Sequence, residues 1–119
     1  MKPIANEDRR VANIHSARFE LYMSNGVEDG EVLQLNTDKP LGTGFHVYRM
    51  PQGMTTQAHS HVGAEEFLII EGDLVDHDGT EYGPGDLVWL RDGTSHNSRT
   101  VNGCTIAVYA EDFGPPARD

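Results

Sequence analysis

The density of turn-forming residues constrains this chain more than any other feature. Thirteen glycines and six prolines are spread through 119 residues. Glycine supplies positive φ, and proline fixes φ and removes a backbone donor, so both punctuate helices and strands. Clear turn signals stand at Asn25-Gly26, Asp29-Gly30, Pro51-Gln52-Gly53, Asp78-Gly79, Gly83-Pro84-Gly85, Asp92-Gly93 and Asn102-Gly103. The segments between them are short and rich in β-branched and aromatic residues. None keeps a helical period over the roughly twelve residues that a stable amphipathic helix needs. Strands are predicted over 18–23, 31–35, 44–50, 54–61, 65–71, 74–77, 80–82, 86–90, 97–101 and 105–110. Many short strands at even spacing define an all-β chain, a sandwich or a barrel. Phe67-Leu68-Ile69-Ile70 and Leu87-Val88-Trp89-Leu90 are apolar on both parities, which predicts strands covered on both faces.

Length and charge narrow the function classes. The expectation is one domain over 1–119, with 1–12 as a flexible arm and 114–119 as a loose tail. Nineteen acidic residues against nine basic ones give a formal charge of −10. The bases form no stripe, so neither nucleic acid nor an anionic membrane surface is an expected partner. No apolar run approaches the roughly 20 residues of a membrane span, and the first residues show no secretory leader. The single cysteine, Cys104, cannot close an internal disulfide, which points to the reducing cytoplasm.

The chemistry concentrates in histidine, of which there are six. His59 and His61 are separated by one residue, and on a strand such residues share a face, about 7 Å apart along the backbone. Two imidazoles so placed can close on one metal ion. A turn at Val62-Gly63-Ala64 precedes Glu65, and an antiparallel return would carry that carboxylate back beside the pair. A carboxylate oxygen complements two imidazole nitrogens as a ligand. No nucleophile elbow, dinucleotide loop or phosphate loop competes with this cluster.

The segment Gly53-x5-His59-x-His61-x3-Glu65-x6-Gly72 resembles the first motif of the cupins at every fixed position. Gly85-x5-Arg91-x-Gly93-x2-His96-x3-Thr100 is similar to their second motif. There Arg91 stands in place of a proline and Thr100 in place of an asparagine, at turn and strand positions. The resemblance implies a double-stranded β-helix, or jelly-roll barrel, with His59, His61, Glu65 and His96 as ligands to one divalent ion inside it. Iron, manganese, nickel and zinc all suit that ligand set. The spacing selects Glu65 over its neighbour Glu66. The stretch HSHVGAEEFLIIEGDLVDHDGTEYGPGD further resembles the cupin domain of ChrR-type anti-sigma factors. Those proteins add a sigma-binding helical domain with its own metal-binding residues. The expectation here is a stand-alone cupin with no sigma-factor partner.

Parity suggests the rest of the pocket. Thr55 and Gln57 share a face with His59, and His46 shares one with Tyr48. These four, with Phe67, are the expected lining. Cys104 is read as a small buried apolar residue. The leading functional expectation is a metal-dependent enzyme, dioxygenase-like or else an isomerase or lyase. Its substrate would be a small organic carbonyl or carboxylate compound bound inside the barrel. The alternative is a non-catalytic metal- or ligand-sensing module of ChrR type. Edge strands and twice-apolar strands need cover, so a homodimer is expected.

Overall fold

The computed structural model describes residues 1–112; the expected tail at 114–119 lies outside them. Eleven strands follow one 3-10 turn at Asn6–Asp8. They are β1 (Glu20–Ser24), β2 (Val27–Leu33), β3 (Gly44–Met50), β4 (His59–Ser60), β5 (Val62–Gly72) and β6 (Leu74–Asp76). The chain continues through β7 (Glu81–Tyr82), β8 (Leu87–Leu90), β9 (Ser95–His96), β10 (Ser98–Arg99) and β11 (Cys104–Asp112). A six-stranded sheet runs β1-β2-β3-β11-β5-β8, a three-stranded one β10-β6-β7, and a two-stranded one β4-β9. Every pairing is antiparallel. This is the expected jelly-roll barrel. No helix among the described residues is long and apolar enough to cross a membrane.

Alternation decides what faces the interior. Met50 of β3, Phe67 and Ile69 of β5, Leu74 of β6, and Cys104, Ile106 and Val108 of β11 form one buried cluster. Burying a side chain such as Ile69 contributes roughly 1.5–3 kcal/mol. Burial also pushes the Cys104 thiol up to about 11, so it stays protonated and packs as the small apolar residue expected.

Three expectations change. Asp29-Gly30 is not a turn between strands but lies inside β2, which begins at Val27 rather than at 31. The predicted strand 54–61 survives only as β4 and an isolated bridge from Thr55 to Arg99. Between them Thr56 bonds to Ser98 by both backbone and side chain, which breaks the alternation. Lastly, β5 and β8 are covered on one face only within a single chain. Leu68, Ile70, Leu87 and Trp89 are 40%, 36%, 78% and 53% exposed. Their outward row continues through Tyr109 of β11 and Phe45 of β3, which are in register with Glu66 and Trp89.

Residues 1–12 are exposed throughout, held by Arg10, whose guanidinium donates to the Leu35 carbonyl at 2.6 Å. Further on, Arg49 donates to the Ile14 carbonyl at 2.7 Å and lies over the Phe19 ring at 3.7 Å. That segment covers one end of the outer face.

The end of β5 is the tightest backbone approach. Gly72 sits at φ 91°, and a Cβ there would overlap the Gly103 carbonyl oxygen and crowd Cys104 Cα. Backbone cannot give way as a side-chain tip can, and the left-handed φ adds strain. Gly72→Ala is expected to cost at least about 2 kcal/mol, read as a lower urea midpoint at unchanged slope.

Candidate metal centre

The pairing of β4 with β9 assembles the site, because it sets His59 directly opposite His96. The ladder runs on past the strands: His61 N donates to Thr94 O at 2.8 Å, and Gly93 N donates to His61 O at 2.9 Å. The two sequence motifs thus meet across one short ribbon. Glu65 enters from β5, held between β11 and β8 by its pairs with Ala110 and Leu90.

Four side chains converge. One ligand atom from each of His59, His61, Glu65 and His96 lies within 4.8 Å of all the others. Glu65 Oε2 is 3.6 Å from His59 Nε2 and 3.4 Å from His61 Nε2, and Oε1 is 3.5 Å from His96 Nε2. The His59 and His61 Nε2 atoms are 3.1 Å apart.

The partners of the other ring nitrogens determine which atom each histidine presents. His59 Nδ1 donates to the Gln57 carbonyl at 3.3 Å. His61 Nδ1 donates to Thr94 Oγ1 at 2.9 Å, whose own hydrogen goes to the Arg91 carbonyl. His96 Nδ1 donates to Asp76 Oδ1 at 3.0 Å. All three Nδ1 atoms are therefore engaged, and all three Nε2 atoms face one point. That arrangement of second partners is the one that orients metal-binding imidazoles.

Asp76 is itself tied down by the Ser98 hydroxyl on Oδ1 and the Tyr82 hydroxyl on Oδ2, at 2.5 and 2.6 Å. Burial pushes its carboxyl up, but the bonds from His96, Ser98 and Tyr82 outweigh that and hold it low. The same contest governs Glu65. Burial raises it, and the three imidazoles beside it bring it well below the ordinary carboxylate range. For His96 burial favours the neutral ring, yet Asp76 on Nδ1 and Glu65 beside Nε2 push it up to about 9.

These residues fit a divalent metal on a direct observation. His96 Nε2 is buried without a hydrogen-bond partner, and its 3.5 Å approach to Glu65 is too long to satisfy it. A buried nitrogen with no partner of its own, beside a carboxylate and two more imidazole nitrogens, belongs to a donor set that could hold a cation.

A cavity of about 150 Å³ opens on this cluster. His59, His61, Glu65 and His96 all border it, as do His46, Tyr48 and Phe67 of the expected lining. Thr55 and Gln57 do not. The chain there is irregular, so Thr56 takes the inward place that strand parity assigned to its neighbours. His46 is buried, with Nδ1 bonded to the Gly44 carbonyl at 3.0 Å, and burial pushes its pKa down. Asp29 and Tyr22 also border the cavity, and neither carried a spacing signal in the sequence. Burial pushes the Asp29 carboxyl up, against the lowering effect of the Gln57 amide and of His59. The two departures from the second motif keep local roles. Arg91 lies 4.9 Å over the Trp89 ring, and Thr100 bridges Asp73 and the Gly103 amide.

A jelly-roll barrel with an inward His-His-Glu-His cluster and a small cavity beside it is a cupin. Its sequence matches the ChrR cupin-like domain over residues 8–113. The chain belongs to that family. Solved structures of the same fold are similar to it at low identity. The polyketide cyclase RemF from Streptomyces resistomycificus has a TM-score of 0.72 at 21% identity, covering 93% of this chain and 84% of that one. Rhodobacter sphaeroides SigE in complex with the anti-sigma ChrR gives 0.60 at 19%, covering 83% of this chain and 52% of that one, about half its length. An acetylacetone dioxygenase from Acinetobacter johnsonii gives 0.68 at 12%, covering 100% and 83%. No curated protein matches by sequence.

His96→Ala and Glu65→Ala are each expected to abolish tight metal binding. Asp76→Asn should weaken it by about 10–100-fold while the fold persists. Competition titrations against a chromophoric chelator, with circular dichroism alongside, measure both.

Proposed function

We propose that this protein is a metal-dependent enzyme acting on a small organic carbonyl or carboxylate compound inside the barrel. A dioxygenase-like oxidoreductase is the leading class, ahead of an isomerase or lyase. The observation that carries the proposal is that the four candidate ligands border a cavity rather than a closed core. His59, His61, Glu65 and His96 would hold one divalent ion. When bound, that ion supplies a Lewis acid for a substrate oxygen or a site for dioxygen activation.

The chain's own residues do the rest. Asp76 fixes the His96 ring and its tautomer through Nδ1, and Thr94 does the same for His61. Phe67, Ile106 and Val108 line the cavity with apolar surface, which excludes water and strengthens electrostatic interactions within it. Four protein ligands fill a tetrahedral zinc site, whereas iron(II), manganese or nickel take more ligands and keep positions for substrate. An enzyme of this design therefore works with one of those three metals.

Membership of the ChrR cupin-like family favours a second reading, a metal- or ligand-sensing module with zinc held by the four side chains. Reconstituting apo-protein with each metal separates the two. An enzyme takes up oxygen or turns over small diketones and hydroxylated aromatics with iron, manganese or nickel. A sensor binds zinc tightly and turns over none of them.

The proposal includes a cytoplasmic homodimer. Its support is the exposed apolar row across β3, β11, β5 and β8, formed by Phe45, Tyr109, Leu68, Leu87 and Trp89. An exposed apolar row of this kind, interrupted by Glu66 between Tyr109 and Trp89, marks an interaction face, and a second copy would cover it by two-fold symmetry. Sedimentation at micromolar concentration should give a dimer, and Trp89→Lys a monomer. A parent that sediments as a monomer removes this part of the proposal.

A further inference from the structure

One side chain in the cavity wall owes its position to an irregularity rather than to strand alternation. The pairing of β1 with β2 steps from Leu21↔Glu31 to Met23↔Glu28, so Asp29 and Gly30 together stand opposite Tyr22. Alternation counted back from the buried Val32 would turn Gly30 inward and Asp29 outward. The bulge re-aims Asp29, which is 7% exposed and borders the cavity.

Several contacts then hold it still. Oδ1 accepts the Gln57 amide at 3.1 Å, and the Asp29 carbonyl accepts the Tyr48 hydroxyl at 2.5 Å. Gly30, at φ 87°, lies flat on the Tyr48 ring, where a Cβ would come within 2.6 Å of Cζ. The same Gln57 whose amide holds Asp29 offers its carbonyl to His59 Nδ1. One residue's backbone thus positions both the Asp29 carboxylate and a candidate metal ligand. Asp29 Oδ2 makes no hydrogen bond to any described residue.

The charge of the cavity limits what can approach that oxygen. Asp29, Glu65, Glu111 and Asp112 line the cavity, and no lysine or arginine does among the described residues. A ligand carboxylate placed at Asp29, away from the metal, would meet like charge there with no lysine or arginine to pair with it. A hydroxyl would instead donate to a charged acceptor held in place through Oδ1, which makes a strong hydrogen bond. The volume of about 150 Å³ matches cavities that hold a single benzene-sized ring.

We infer that Asp29 is a ligand-contacting residue that accepts a hydrogen bond from a hydroxyl of a neutral, ring-sized molecule bound at the metal centre. The inference rests on the reading that the His/Glu cluster binds a divalent ion, and it narrows the proposed carbonyl or carboxylate substrate to a neutral carbonyl compound that also carries a hydroxyl. Asp29→Asn is the informative change. An asparagine keeps an oxygen for the Gln57 amide but presents an NH2 donor where Oδ2 presents an acceptor.

The test uses the cobalt(II)-loaded protein and follows its visible spectrum. The probes are 3-hydroxypyridine, 3-(hydroxymethyl)pyridine, 3-methylpyridine and pyridine-3-carboxylate, with azide as a small ligand that does not need Asp29. The parent should bind at least one hydroxylated probe about tenfold or more tightly than 3-methylpyridine, and the carboxylate most weakly. Asp29→Asn should erase the hydroxyl preference and improve carboxylate binding, with azide affinity and the thermal midpoint close to the parent's. Equal affinities for hydroxyl and methyl probes in the parent overturn the inference, as does a preference that survives Asp29→Asn. In either case a normal azide response leaves the metal-centre reading standing. A protein that acquires no cobalt spectrum overturns both.

Discussion

Four polar side chains share one small, mostly buried volume, and the barrel is organised around that constraint. His61 and His96 are buried, and Glu65 shows only 15% of its side chain. Removing such groups from water is costly unless each finds a partner. The outer ring atoms find theirs locally: the Gln57 carbonyl, the Thr94 hydroxyl and the Asp76 carboxylate. The inner atoms have only one another, and His96 Nε2 lacks even that. A cluster satisfied on its outside and left open on its inside is a donor set that could hold a cation.

The supporting shell explains why residues far apart in sequence act together. Asp76 lies at the end of β6, Ser98 on β10 and Tyr82 on β7, and these three strands form the small sheet β10-β6-β7. That sheet holds the carboxylate to which His96 is bonded. The loop behind it is pinned in turn by Asp73, which accepts from the Val101 and Asn102 amides and from the Thr100 hydroxyl. Local backbone accounting and site geometry are therefore one network.

The two faces of the large sheet divide the labour. Inward residues of β3, β5 and β11 build the core and the cavity wall. Outward residues of the same strands form the apolar row that a single chain leaves exposed. Strand alternation lets one stretch, 65–70, serve both: Glu65, Phe67 and Ile69 inward, Leu68 and Ile70 outward.

The sequence by itself determined the class of fold and the identity of the converging residues. Turn-formers at short intervals leave room only for strands. The spacing His59-x-His61 puts two imidazoles on one face, and the motif resemblance added Glu65 and His96. Local composition also marked Cys104 as core. Tertiary structure alone decided what depends on pairing between distant strands. Thr55 and Gln57 left the cavity wall because Thr56 bonds to Ser98, 42 residues away. Asp29-Gly30 has the composition of a turn, but pairing with β1 absorbs it as a bulge and aims Asp29 inward. Asp76 gave no signal either, since its meaning comes from His96, twenty positions on. Period and turn chemistry are written in neighbouring residues; bulges and second partners depend on register, which exists only once the strands have paired.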